Sequence, residues 1–156
     1  MKIKIASILA VLFVLFSLAS CEEEKEVVID AEKLSGEISA LYENGEIELV
    51  NIDSAEAFDI QYGLKGLYSF FYAEGSIAIT SDEIVILEGT DADNAKKAYD
   101  TLEAYRKSRI KLFRSYAPEQ VPKLEEALLE RAGKYIIFVV AEDTSEAEKI
   151  WREYTK

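Results

Sequence analysis

Apolar positions along this chain fall into two regimes: an almost unbroken run from Ile5 to Phe16, interrupted only by Ser7, and a periodic pattern from Asp30 onward. Leu34, Ile38, Leu41 and Tyr42 recur at i, i+4, i+7 and i+8, which predicts an amphipathic helix capped by Asp30 and ended at Asn44-Gly45. Ile47, Leu49, Val50 and Ile52 fit either a short strand or a loop, and Asp53-Ser54 then opens a short helix through Phe58 to Tyr62, stopped by Gly63. Leu67 to Tyr72 carries aromatics on both alternating faces, and Glu83 to Glu88 is a β-branched run bounded by Ser81-Asp82 and Gly89; both predict strands.

Thr90, Asp91 and Asp93 start the longest predicted helix, whose buried stripe is Ala95, Ala98, Tyr99, Leu102, Tyr105, Leu112, Phe113 and Tyr116, with Pro118 at its end. A further helix, tolerating Pro122 in its first turn, presents Val121, Leu124 and Leu128 and terminates at Gly133. Tyr135 to Ala141 is continuously apolar, as expected of a strand buried on both faces. Asp143 with Glu146 resembles a capping box and opens a last helix carrying Ala147, Ile150, Trp151 and Tyr154 on one side. This order predicts an α+β domain, a small, mostly antiparallel sheet of about three strands covered by helices.

The leading run has the three parts of a secretory signal: Lys2 and Lys4, the apolar stretch, and the small-residue approach Leu18-Ala19-Ser20 before Cys21. A bilayer-spanning helix needs about 20 apolar residues, so cleavage is the better expectation than an uncleaved membrane anchor. Leu18-Ala19-Ser20-Cys21 resembles the lipobox of bacterial lipoproteins. That resemblance implies cleavage after Ser20, a diacylglycerol thioether on Cys21, and a location on the outer face of the cytoplasmic membrane. Glu22-Glu23-Glu24-Lys25-Glu26 then predicts a charged, solvated tether. The expected organisation is a signal peptide over residues 1–20, a lipidated cysteine and acidic tether over 21–29, and one globular domain over 30–156.

Composition narrows the chemistry. The 156 residues carry 30 Asp+Glu against 18 Lys+Arg, a formal charge of −12, which makes nucleic acid an unfavourable partner. There is no histidine, which removes the usual general base and the commonest metal ligand. The single cysteine precludes an intrachain disulfide, and zinc held by Cys and His is out of reach for the mature domain.

Asp91-Ala92-Asp93-Asn94 begins like a calcium loop, but Lys96 and Leu102 occupy the places where an EF-hand needs glycine and a bidentate Glu, so a helix N-terminus explains the acids better. Glu74, Asp82, Glu83 and Glu88 surround the predicted strands without any pair standing out for acid–base catalysis. Gly63-Leu64-Lys65-Gly66 matches no phosphate-binding loop and reads as a pair of turn glycines. No cofactor is expected. Arg106, Lys107, Arg109, Lys111 and Arg114 form a basic cluster within this acidic chain, with Lys107, Lys111 and Arg114 on one helix face. Arg106, Lys107, Lys111 and Arg114 are thus candidates for an anionic-surface patch, for lipid heads, wall polymer or an acidic partner. The excess of acid favours the alternative, that these cations answer the helix dipole and pair locally. The aromatics Tyr62, Tyr68, Phe70, Phe71, Tyr72, Tyr99, Tyr105, Tyr116 and Tyr135 are expected in the core, and would form an interaction strip if one sheet face were bare.

Several segments together carry a resemblance: Tyr62-Gly63-Leu64, Ser81 to Ile86, Phe113-Arg114-Ser115-Tyr116-Ala117-Pro118-Glu119-Gln120-Val121, and Gly133 to Val140 followed by an acidic pair. Over roughly Ala55 to Tyr154 they resemble an uncharacterised bacterial lipoprotein family found mainly in Firmicutes, the domain of unknown function numbered 4358. The resemblance implies a secreted, lipid-anchored single domain and no catalytic residues. Where such sequences often carry a lysine after the second strand this one has Leu87-Glu88, so no role for a cation carries over. The function expected is a non-enzymatic module binding a protein or envelope component at the membrane surface. The alternatives are a small-solute-binding lipoprotein and a hydrolase using carboxylates alone. Shape separates them: a deep pocket favours the solute binder, a bare apolar sheet face the interaction module, and a carboxylate-lined cleft the enzyme.

Overall fold

The computed structural model describes residues 27–43, 45 and 47–156, so Leu18, Ala19, Ser20 and the predicted anchor Cys21 lie outside the described residues. In chain order the elements are α1 (Ala31–Ala40), β1 (Leu49–Asn51), α2 (Ala55–Tyr62), β2 (Tyr68–Ser76), β3 (Glu83–Gly89), α3 (Ala92–Tyr116), a 3-10 turn (Pro118–Gln120), α4 (Val121–Glu125), β4 (Leu128–Ala132), β5 (Tyr135–Val140) and α5 (Ser145–Tyr154). The caps follow from local chemistry: Asp30, Ser54 and Asp91 accept from the backbone N–H groups of Lys33, Ala57 and Asn94, filling donors that a helix start leaves open. At the last helix Thr144 makes no side-chain cap, and Asp143 accepts from the Ser145 N–H at 2.9 Å in place of the expected capping box.

The five strands form one antiparallel sheet in the order β1-β2-β3-β5-β4, so the expectation of about three strands is corrected to five. One addition is β1, which pairs Leu49–Asn51 with Ser76, Gly75 and Glu74. The other is β4. Leu124 and Leu128 have helical spacing, but α4 ends at Glu125, and Leu128 and Leu129 then pack on opposite faces of the sheet, as strand alternation requires. Gly133, at φ 56°, opens the turn of the β4–β5 hairpin, where Ala132 pairs with Tyr135. The glycine that looks like a helix stop is a hairpin residue.

The central strands β3 and β5 are covered on both sides. Val85, Leu87, Ile136 and Phe138 meet Phe58, Ala98, Leu102 and Leu124 on the face under α2, α3 and α4. Ile84, Ile86, Ile137 and Val139 meet Leu34, Ile38, Ala147 and Trp151 on the face under α1 and α5. Each fully buried side chain of this size contributes about 1.5–3 kcal/mol by leaving water. Packing reaches back past Asp30, since Ile29 is buried and Val27 lies against the same cluster; among the described residues, both clusters are built between Val27 and Tyr154. Neither sheet face is left as a bare aromatic strip: Tyr68 and Phe71 pack on one side, Phe70 and Tyr72 on the other. Leu112 and Tyr116, expected in the buried stripe of the long helix, are exposed. At roughly 1.5 Å per residue α3 is longer than the strands it crosses, and of its last turn only Phe113 remains in the core.

Candidate functional site

A cleft of about 560 Å³ opens at the end of the sheet where β3 begins and β5 finishes. The turn after α1 delivers Leu41 and Tyr42 to it, Ile47 comes from the segment before β1, the sheet supplies Leu49, Ile84 and Val140, the turn into α5 supplies Glu142 and Asp143, and α5 itself supplies Glu146. The floor is therefore aliphatic and the rim anionic. At one side Asp82 and Lys123, both largely buried, form an ion pair at 3.0 Å, with Glu142 3.9 Å from the same ammonium. A smaller cavity of about 280 Å³ shares the Tyr42–Leu49 wall and adds Glu43, Glu48 and Glu74.

Two polar ties hold the walls. The Tyr42 hydroxyl donates to the Asp143 carbonyl at 3.1 Å, bridging α1 to the β5–α5 connection. Burial, and then the charge of Asp143, push the Tyr42 phenol up to about 12, so it remains a donor at neutral pH. Glu74 Oε1 accepts from Ser39 at 3.0 Å and from Tyr72 at 2.6 Å, fixing α1 to β2. Hydrogen bonding from the side chain and backbone of Ser145 holds the Asp143 carboxyl below its ordinary range, the opposite of what a general acid requires. Tyr42→Phe is expected to lower unfolding free energy by about 1 kcal/mol and to speed amide exchange over residues 141–143. Unchanged exchange there would show that the bond does not hold the wall.

The other carboxylates singled out in the sequence do not converge. Glu88 pairs with Lys134 at the far end of β3. Glu83, 1% exposed, is enclosed on the opposite face of the sheet from the cleft. Its Oε2 accepts from the hydroxyls of Tyr62 at 3.1 Å and Tyr105 at 3.0 Å, while Arg109 lies 3.7 Å from Oε1 and donates to Tyr105 at 2.7 Å. Loss of hydration raises the Glu83 carboxyl above its ordinary range, against the pull of Arg109 and the two tyrosines, and burial also drives both tyrosine phenols upward. With no solvent path to its carboxylate, this cluster joins α2, α3 and β3 as an internal brace.

The basic cluster is largely engaged within the domain. Arg106 donates to the Leu124 and Glu125 carbonyls, Lys107 pairs with Glu103, and Arg114 pairs with Glu125 at 2.9 Å. Lys111 is exposed and has no ion-pair partner among the described residues. Asp91 caps α3, the role that the failed calcium pattern suggested. Sequence reasoning did not select the cleft residues Tyr42, Lys123, Glu142 and Asp143. The acidic pair following the last strand was a signal for Glu142 and Asp143 alone.

A family model for a domain of unknown function, DUF4358, matches residues 44–141, starting and ending earlier than the resembling segments suggested. No curated protein and no solved structure matches the chain. The matched span includes the whole sheet and excludes α1 and α5, and with them the cleft residues Leu41, Tyr42, Glu142, Asp143 and Glu146.

Proposed function

The chain belongs to the DUF4358 domain family, whose members share a description but no assigned activity, and from that premise we propose that it is a lipid-anchored, non-enzymatic binding module that takes a positively charged amphipathic ligand in the cleft between α1 and α5. The observation that supports this most is the make-up of the cleft. A volume of about 560 Å³ lies within the range of ligand pockets, its aliphatic floor suits an apolar body, and the rim of Glu142, Asp143 and Glu146 suits a cationic head.

Lipid anchoring rests on the lipobox-like Leu18-Ala19-Ser20-Cys21, and the fold gives it a geometric consequence. Val27 packs beside Gly133, in the β4–β5 turn, while the cleft opens at the Glu83–Val140 end of the same sheet. An anchor at Cys21 would join the domain at the end of the sheet away from the cleft. Cys21→Ala is expected to abolish fatty-acid labelling in the native host and to leave protein of precursor size; labelling that survives the change would refute the anchor.

Binding is tested on a chain begun at Glu22, which retains every described core residue. Phenylalaninamide, a cation with an apolar body, is expected to shift NMR signals of residues 41–49 and 141–146. Its anionic counterpart N-acetylphenylalanine is expected to leave them in place. Glu142→Lys with Glu146→Lys is expected to weaken the amide roughly tenfold, the effect of about 1.4 kcal/mol of lost attraction. Equal binding of the anion would rule out the proposed ligand class.

A further inference from the structure

We propose that the occupant of the cleft is a lysine- or arginine-bearing segment of another protein, and that the tip of the β2–β3 hairpin is its second point of contact. The proposal rests on the cleft reading above and adds a source for the ligand. Ser76 pairs with Leu49, a cleft residue, and the Ser76 N–H donates to the carbonyl of Asp82, another, so the tip rises directly from the cleft wall. Gly75 to Ser81 contains no charged residue in a chain that is 31% charged, yet Ile77 and Ile79 are 75% and 73% exposed. The tip is braced as well as apolar. Ala78 N–H donates to Ser76 Oγ, and Ser81 bonds to Gln120 through both its N–H and its hydroxyl. A free solute seated in the cleft would leave the two isoleucines in water, whereas a chain segment running out of the cleft covers them.

Charge chooses the partner. Glu142, Asp143 and Glu146 line the cleft, so a second copy of this acidic chain would set acid against acid there, and a basic segment complements it. A bilayer is disfavoured by charge, because Glu142, Asp143 and Glu146 repel anionic lipid heads as they attract a basic segment.

The test uses the full chain in phosphatidylcholine nanodiscs on a biolayer sensor, with empty nanodiscs subtracted and acetyl-(Lys-Val)3-amide as the probe. The peptide is expected to bind at least tenfold more tightly than phenylalaninamide and to be displaced by it, while acetyl-(Glu-Val)3-amide does not bind. Ile77→Ser with Ile79→Ser is expected to weaken the peptide about tenfold and leave phenylalaninamide unchanged. Peptide affinity that is insensitive to this double change overturns the tip as a contact while the cleft reading stands. Failure of phenylalaninamide itself to bind overturns both. Sedimentation of the Glu22-begun chain with phosphatidylglycerol vesicles, lost in the isoleucine double variant, would assign the tip to lipid and overturn the protein partner.

Discussion

Replacing Glu83 with alanine is expected to lower the unfolding free energy by about 3–5 kcal/mol, the usual cost of removing one partner from a buried charged group. Tyr62 and Tyr105 would each lose the acceptor for a buried hydroxyl, and Arg109, stacked 4.9 Å from the centre of the Phe113 ring, would lose its counter-charge. Urea titration measures the loss, and a change below about 1 kcal/mol would mean that the brace holds little. Glu83→Gln separates hydrogen bonding from charge, because its amide oxygen can still accept from both tyrosines.

The same pair of proteins carries a pH signature. The folded state holds the Glu83 proton above the ordinary carboxylate range, so it binds that proton more tightly than the unfolded chain does. The stability linked to this group is complete below the ordinary range and is lost as pH rises through the raised folded value. Between about pH 4 and pH 7, the difference in unfolding free energy is therefore expected to move in favour of Glu83→Gln. A difference that is flat with pH would show that Arg109 fully offsets the loss of hydration.

Gly89→Ala is the second large effect, expected at about 3 kcal/mol, the upper end of the usual cost of overpacking. A methyl group on Gly89 would lie 2.7 Å from Ala95 Cβ, 2.8 Å from its N and 2.9 Å from its Cα, and the last two are backbone atoms of α3. No rotamer relieves a contact with backbone, so the helix must move off the strand or the strand must bend. Thermal unfolding should fall by roughly 10 °C. Wild-type stability in this variant would mean that α3 is free to slide.

Gly89 shows why part of this fold was legible and part was not. As a strand terminator it stood out, because it follows a β-branched run and precedes a capping Asp91, all within three positions. Its tight approach to Ala95 was not legible, since it depends on how α3 lies over the sheet. Asp30, Ser54 and Asp91 were readable as caps for the same local reason. β4 was not, because Leu124 and Leu128 mimic one helical turn and only pairing with β5 reveals the alternation. The cleft was least legible of all. Tyr42, Asp82, Lys123 and Asp143 come from four separate segments, and in a chain with 30 acids no single carboxylate stands out until folding groups it with an aliphatic floor. Glu83 was visible as one acid among several, and its distinguishing partners lie 21, 22 and 26 positions away, at Tyr62, Tyr105 and Arg109.

The sheet ends on two strands that are poor templates for another chain. β1 offers three residues, and β4 interrupts its five with Glu130 and Arg131. Short edges and charged side chains discourage a foreign strand from continuing the ladder. Neighbouring copies thus have little opportunity to zip together edge to edge, even though the hairpin tip beside β1 leaves Ile77 and Ile79 in water.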